Sequence, residues 1–260
     1  MAEKYLSDSA YKTHFEELNG LRYRIAKKLP VKPGMKILDL ASGDGGFAVE
    51  VAKRFSDLEV IGIDIDPVMV KSANRNIRKH RLQARVRIVN TDAARTDFKK
   101  DEFDIIVNFT GLDEIFMTGG VSGIQNTFFE MNRILKMGNF FCLAIMPTGE
   151  METNAQKLEI DLFKYMCNAV YLSNKKYDQM LKKANFKLIK KLNYYSGIKF
   201  TPEQAEKEIK YTLNDNRNSC GIKRPTFKQV WDKFGDKIEK FGVGCYSKIT
   251  LLITKKINGI

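Results

Sequence analysis

Carboxylates and glycines recur in this chain where apolar runs stop. Asp39 closes the run at 36–40, and Gly43-Asp44-Gly45-Gly46 follows at once; Asp64 closes "VIGID", and Asp92 and Asn108 stand at or just past the ends of two further runs. From Gly43 the order fits G-x-G-x-x-[GA], and Asp64 stands 19 residues beyond Gly45, near the ~20 of a ribose-binding acid in a dinucleotide site. The same residues fit a loop that holds S-adenosylmethionine. The motif alone leaves hydride and methyl transfer open.

Electrostatics separates the two. A dinucleotide brings a pyrophosphate to the helix that follows the loop, where backbone N–H groups favour negative charge. Asp39 and Asp44 make that spot doubly acidic and repel it. S-adenosylmethionine carries a sulfonium and an α-ammonium instead, which carboxylates attract. Asp64 is placed to accept from both ribose hydroxyls, Asp92 from the adenine amino group, and Ala93 offers a backbone N–H to a ring nitrogen. Each acid also has a purely structural reading as a helix cap or turn closer.

The elements that position these residues alternate. Strands are expected at 36–40, 58–66, 85–90, 103–109 and 140–146, and helices at 8–29, 46–55, 67–80 and 122–136, the last stopped by Gly138. That alternation calls for a parallel, doubly wound sheet, which binds ligands at its strands' carboxyl ends. Further on, helices are expected at 153–170 and 174–184 and strands at 186–195 and 246–257. Helical pieces near 202–212 and 226–240 and the turn-rich "NDNRNSCG" (214–221) lie between those two strands, an insertion long enough for a lid.

The order "ILDLASGDGG", "VIGIDIDP", "VRIVNTDAA", "FDIIVNFTGLDEI" and "EMNRILKMGNFFCLAI" resembles the class I S-adenosylmethionine-dependent methyltransferases over roughly residues 20–195, above all the branch acting on small molecules. Two departures stand out: Ala41 replaces the family's first glycine, which implies a slightly tighter or shifted turn, and Met137-Gly138-Asn139 replaces Pro-Gly-Gly. The resemblance implies S-adenosylmethionine contacts at Asp39, Gly43, Gly45, Asp64, Asp92 and Asn108, with Ser42, Ile65 and Ala93 beside them. It implies a Rossmann-like seven-stranded sheet, mostly parallel, with the last strand antiparallel. The expected organisation is an N-terminal helical cap (1–30), the cofactor-binding core (31–195), a helical insertion or lid (196–245) and the final strand (246–260).

For catalysis, Asp113 and Glu114 follow the 103–109 strand on the substrate side and are the best-placed acids, and His14 on the N-terminal helix is a second candidate base; Tyr5 and Tyr11, in the same region, are placed to cover the cofactor. The expected reaction is methyl transfer to a small-molecule acceptor. Of the net +13, residues 1–150 hold 22 basic against 20 acidic residues and residues 151–260 hold 22 against 11. A basic tail suits an anionic acceptor, and leaves open an RNA or protein substrate; a non-catalytic donor-binding protein and a dehydrogenase are further alternatives. Two histidines and four scattered cysteines argue against a metal site. The absence of a leader-like N-terminus or an apolar run of ~18 residues points to a cytoplasmic setting.

Overall fold

The computed structural model describes residues 3–11, 14–214 and 224–258, with the side chains of 9, 10 and 14–17 outside that description. The chain divides into two compact units: Asn19–Ile145 with Asn174–Asn193 and Thr250–Ile260, and Met1–Leu18 with Met146–Ser173 and Tyr194–Ile249.

In chain order the elements are β1 (Lys4–Tyr5), α1 (Asp8–Tyr11), α2 (His14–Ala26), β2 (Met35–Leu40), α3 (Gly46–Arg54), β3 (Leu58–Asp64) and α4 (Pro67–Lys79). There follow β4 (Val86–Asn90), β5 (Phe103–Phe109), α5 (Leu112–Ile134), β6 (Leu135–Ile145), α6 (Asn154–Cys167) and α7 (Asn174–Lys183). The last are β7 (Phe186–Tyr195), β8 (Ile198–Phe200), α8 (Pro202–Asn214), α9 (Phe227–Phe241), β9 (Val243–Gly244) and β10 (Lys248–Lys256).

The first unit is built on the expected seven-stranded sheet, in the order β4-β3-β2-β5-β6-β10-β7. Pairs β3–β4, β2–β3, β2–β5 and β5–β6 are parallel, and β10 enters antiparallel beside β6. The strands are apolar on both faces because helices cover both: Ile37, Leu38, Val60, Ile61, Ile105 and Ile106 are buried. Phe128, Phe141 and Phe186 pack tilted or edge-on at 5.2–5.6 Å between centroids and tie α5, β6 and β7 together. Asp66 caps α4 by accepting from the Val68 N–H at 2.7 Å, and Pro67 takes the first helical position.

Two expectations need correction. The helix expected at 122–136 begins ten residues earlier, at Leu112, and bends at Gly120, whose φ of 62° is not helical. It ends at Ile134; Leu135 already has extended φ/ψ, so Gly138 (φ 76°) lies inside β6 and stops no helix. The expected 8–29 helix is observed as α1 and α2, with residues 12 and 13 outside the described set. Cys220 and most of "NDNRNSCG" are also outside it.

The second unit holds a three-stranded sheet, β1-β8-β9, with α6, α8 and α9. Glu159 of α6 is buried and accepts from the Tyr246 N–H at 2.6 Å and from the Ser247 hydroxyl at 2.5 Å, fixing the turn before β10; burial pushes its carboxyl up to about 7. Thr153 and Thr226 start α6 and α9 with reciprocal capping boxes. No helix among the described residues is long and apolar enough to cross a membrane.

Candidate functional site

The carboxyl ends of β2, β3 and β5 lie side by side: Leu40 registers with Ile63 on one flank and with Asn108 on the other. The turn after β2 must therefore reverse within a few residues. Ala41, Gly43 and Gly45 all take left-handed backbone, with φ of 52°, 54° and 73°. Glycine does so freely, whereas alanine pays roughly 1 kcal/mol or more. Ala41→Gly is accordingly expected to raise stability by about 0.5–1 kcal/mol, seen as a higher thermal midpoint with unchanged ligand affinity. A Cβ on Gly43 would meet nothing within 4 Å, so that backbone is open; one on Gly45 would sit 3.0 Å from the Ala73 Cβ, so this glycine also lets α3 approach α4.

Asp64 stitches the turn to β3. Its Oδ2 accepts from the Gly43 N–H at 2.8 Å and its Oδ1 from the Asp66 N–H at 2.9 Å, while burial raises its pKa against those bonds. Each oxygen keeps a lone pair for a further donor. The structural and the ligand-binding readings of Asp64 are thus compatible. Ser42 donates to the Asp39 carbonyl at 2.8 Å. Asp92 is exposed and its Oδ1 takes the Ala94 N–H at 2.8 Å, so part of its role is to close the turn that presents Ala93. Ile65 is 55% exposed, a large apolar side chain facing outward beside Asp64.

Two oxygens stand out chemically. Asp39 is 1% exposed and its Oδ2 has no hydrogen-bond partner; Asn108, also 1% exposed, gives its amide N–H to the Leu40 carbonyl at 2.7 Å and leaves Oδ1 without a donor. Burial pushes the Asp39 carboxyl up to about 7, with the Ser42 hydroxyl, the Arg22 charge and the Ala48 N–H pulling it back. Orphaned acceptors in a buried place cost free energy unless a donor arrives.

Sequence reasoning missed two contributors. Gly111 must lack a side chain because a Cβ there would lie 2.6 Å from the Ala41 Cβ and 3.0 Å from the Asn108 amide. Arg22, on α2, lies over the Phe109 ring at 5.5 Å with Nη2 3.6 Å from Asp44. Asp44 also accepts from the Gly46 N–H at 3.0 Å, so the loop is less acidic than two bare carboxylates. Nothing local marks Arg22; only the tertiary placement of α2 does.

Of the catalytic candidates, Asp113 occupies the first turn of α5 and is half-buried, and burial pushes its carboxyl up to about 6 against the pull of its own and the Glu114 N–H. The His14 side chain lies outside the described residues. Tyr11 gives its hydroxyl to Glu208 at 2.7 Å within the second unit, and Tyr5 lies under the Lys199 ammonium there, 4.2 Å from the ring centroid. Cys142, Cys167 and Cys245 are buried.

A family of methyltransferase domains matches residues 31–217. The chain belongs to that family. This methyltransferase is 30% identical, over 69% of its own length and 80% of the relative's, to the demethylmenaquinone methyltransferase of Lactobacillus johnsonii. It is 28% identical, over 45% of itself, to the sterol 24-C-methyltransferase of Debaryomyces hansenii, of whose length it spans only 29%. Its fold is similar to that of the geranyl diphosphate C-methyltransferase of Streptomyces coelicolor A3(2), solved with S-adenosyl-L-homocysteine; the TM-score is 0.59 at 14% identity, covering 98% of this chain and 87% of that one. The methyltransferase uses S-adenosylmethionine as its cofactor.

Proposed function

We propose that this enzyme transfers the methyl group of S-adenosylmethionine to a carbon of a small, lipid-like acceptor. When bound, the cofactor supplies an electrophilic methyl on a sulfonium. In this reading Asp39 and the Asn108 amide oxygen would hold the donor's ammonium side, Asp64 its ribose, and Ala93, Asp92 and Ile65 its base. The fit is chemical: the oxygens without partners, Asp39 Oδ2 and Asn108 Oδ1, are acceptors, suited to a cationic donor and hostile to a pyrophosphate.

Asp113 carries the acceptor half of the proposal. It stands four residues after Phe109, the last residue of β5, the strand whose Asn108 belongs to the cradle. A half-buried carboxyl near 6 is ionised at neutral pH yet basic enough to take an acidic proton. Carbon methylation requires that a proton leave the acceptor, before or after the carbon–carbon bond forms, and Asp113 is the group assigned to hold it at its carboxylate oxygen. The relatives support the acceptor class, since demethylmenaquinone, sterols and geranyl diphosphate all appear in their names.

The test is methyl transfer from isotopically labelled S-adenosylmethionine to demethylmenaquinone, a Δ24 sterol and geranyl diphosphate, each presented in detergent, with products read by mass spectrometry. A new carbon-bound methyl on one of them is expected. Donor binding with label appearing solely on RNA or protein would overturn the acceptor assignment.

A further inference from the structure

The amino-acid end of S-adenosylmethionine has two charges, an α-ammonium and an α-carboxylate, and the acids of the cradle answer only the first. We infer that Arg22 receives the α-carboxylate, so that Asp39 and Arg22 together form a receptor for an amino-acid zwitterion. This rests on the cradle described above. Both residues belong to the same unit and act on one another: the Arg22 charge is among those that draw the Asp39 carboxyl down.

The guanidinium is under-used by the protein itself. Its side chain is 16% exposed and its Nε is buried with no partner. Nη1 donates to Asn19 Oδ1 at 3.1 Å. Nη2 stops 3.6 Å from Asp44, beyond hydrogen-bond reach, and Asp44 is half exposed and already bonded to the Gly46 N–H. A pair that loose and that wet contributes little, so balancing Asp44 does not account for holding an arginine there. The site is also shaped for it. A Cβ on Gly46 would stand 2.4 Å from Nη1, and the Arg22 Cζ lies over the Phe109 ring, 5.5 Å from its centroid. Arginine's fixed fork of donors matches a carboxylate, and a planar cation kept partly dry binds it strongly.

Calorimetry with two ligands isolates this contact. S-Adenosylhomocysteine carries the amino acid; 5′-methylthioadenosine keeps the nucleoside and thioether and lacks it. Arg22→Gln is expected to weaken S-adenosylhomocysteine by about 10- to 100-fold, the range of a lost charge-assisted hydrogen bond, and to leave methylthioadenosine within about twofold. Arg22→Lys should recover part of the loss, because it restores charge without the fork. Gly46→Ala, which displaces the guanidinium and keeps its charge, should reproduce part of the loss and covers the case in which Arg22→Gln fails to fold. Equal losses for the two ligands would reduce Arg22 to a structural prop, and no loss for either would refute the contact. The cradle itself is judged separately: if Asp39→Asn also spares S-adenosylhomocysteine, the cradle reading fails, whereas loss with Asp39→Asn and none with Arg22→Gln sinks this inference alone.

Discussion

Asp39→Asn is expected to weaken S-adenosylmethionine binding by about 100-fold or more at pH 8, while making the ligand-free chain more stable. Both effects come from the same buried carboxyl. Removing one partner of a desolvated charge pair costs roughly 2–5 kcal/mol, and each 1.4 kcal/mol is tenfold in affinity. The stability effect has the opposite sign because the folded chain raises this group from 3.8 to about 7. Proton binding therefore favours the folded state: that contribution is fully present below 3.8 and is lost as the pH rises through about 7. At pH 8 the ligand-free enzyme carries a buried anion, a burden of up to about 4 kcal/mol, which a neutral asparagine of the same shape lacks. The variant's advantage in denaturant midpoint should shrink steadily toward pH 5. Ligand binding adds a second signature. Below about pH 7 the donor's ammonium must displace a proton from Asp39, so wild-type affinity should fall by up to about tenfold per unit and calorimetry should register proton release. An asparagine variant whose affinity keeps the wild-type pH slope would show that Asp39 is not the ammonium's partner.

The parts of this design visible in the sequence are those written in short-range pattern. Short, largely apolar runs such as "KILDL" and "FDIIVNF", set between turn signals, read as buried strands, and they appear as β2 and β5 within a residue of the expected bounds. Locating the strands also placed Asp39, Asp64 and Asn108 at or near their carboxyl ends, where parallel sheets of this kind bind ligands. Ala41 was not legible in this way: an alanine in place of the family's first glycine pointed to a tighter or shifted turn, and only the structure shows that it takes left-handed backbone, with φ of 52°.

What was illegible depended on tertiary neighbours. The strands β1, β8 and β9, two or three residues each, are too short to carry a period, and pairing alone makes them a sheet. The first ten residues of α5 were not expected as helix; α5 runs from Leu112 through the bend at Gly120, with Leu112 and Ile124 buried on either side of it. Leu135 fits a helical face as well as a strand, and the β5 edge decides for the strand through the Phe103–Leu135 pairing. Asp44 read as a bare acid because its counter-charge, Arg22, comes from a helix 22 residues earlier.

Asp113→Asn tests the other end of the reaction. The exchange keeps size and hydrogen-bonding capacity, so it should leave the fold and the affinity for S-adenosylhomocysteine unchanged. If Asp113 takes a proton from the acceptor, turnover should drop by about 10²–10⁴-fold, the usual worth of a positioned base. The pH profile distinguishes this from a mere loss of packing. In the wild type, kcat/KM should rise with pH and level off above about 6, because the carboxyl must be ionised to accept a proton and burial has moved it there. The substituted amide has nothing to titrate, so the residual activity of the variant should lose that acidic limb. An acidic limb that persists unchanged would assign the proton to another group, and an equal loss of cofactor affinity would make Asp113 part of the α5 start rather than of the chemistry. The start of a helix suits such a group: burial pushes the Asp113 carboxyl up, the N–H groups of residues 113 and 114 pull it back, and the balance settles at about 6, ionised at neutral pH yet basic enough for the proposed proton transfer.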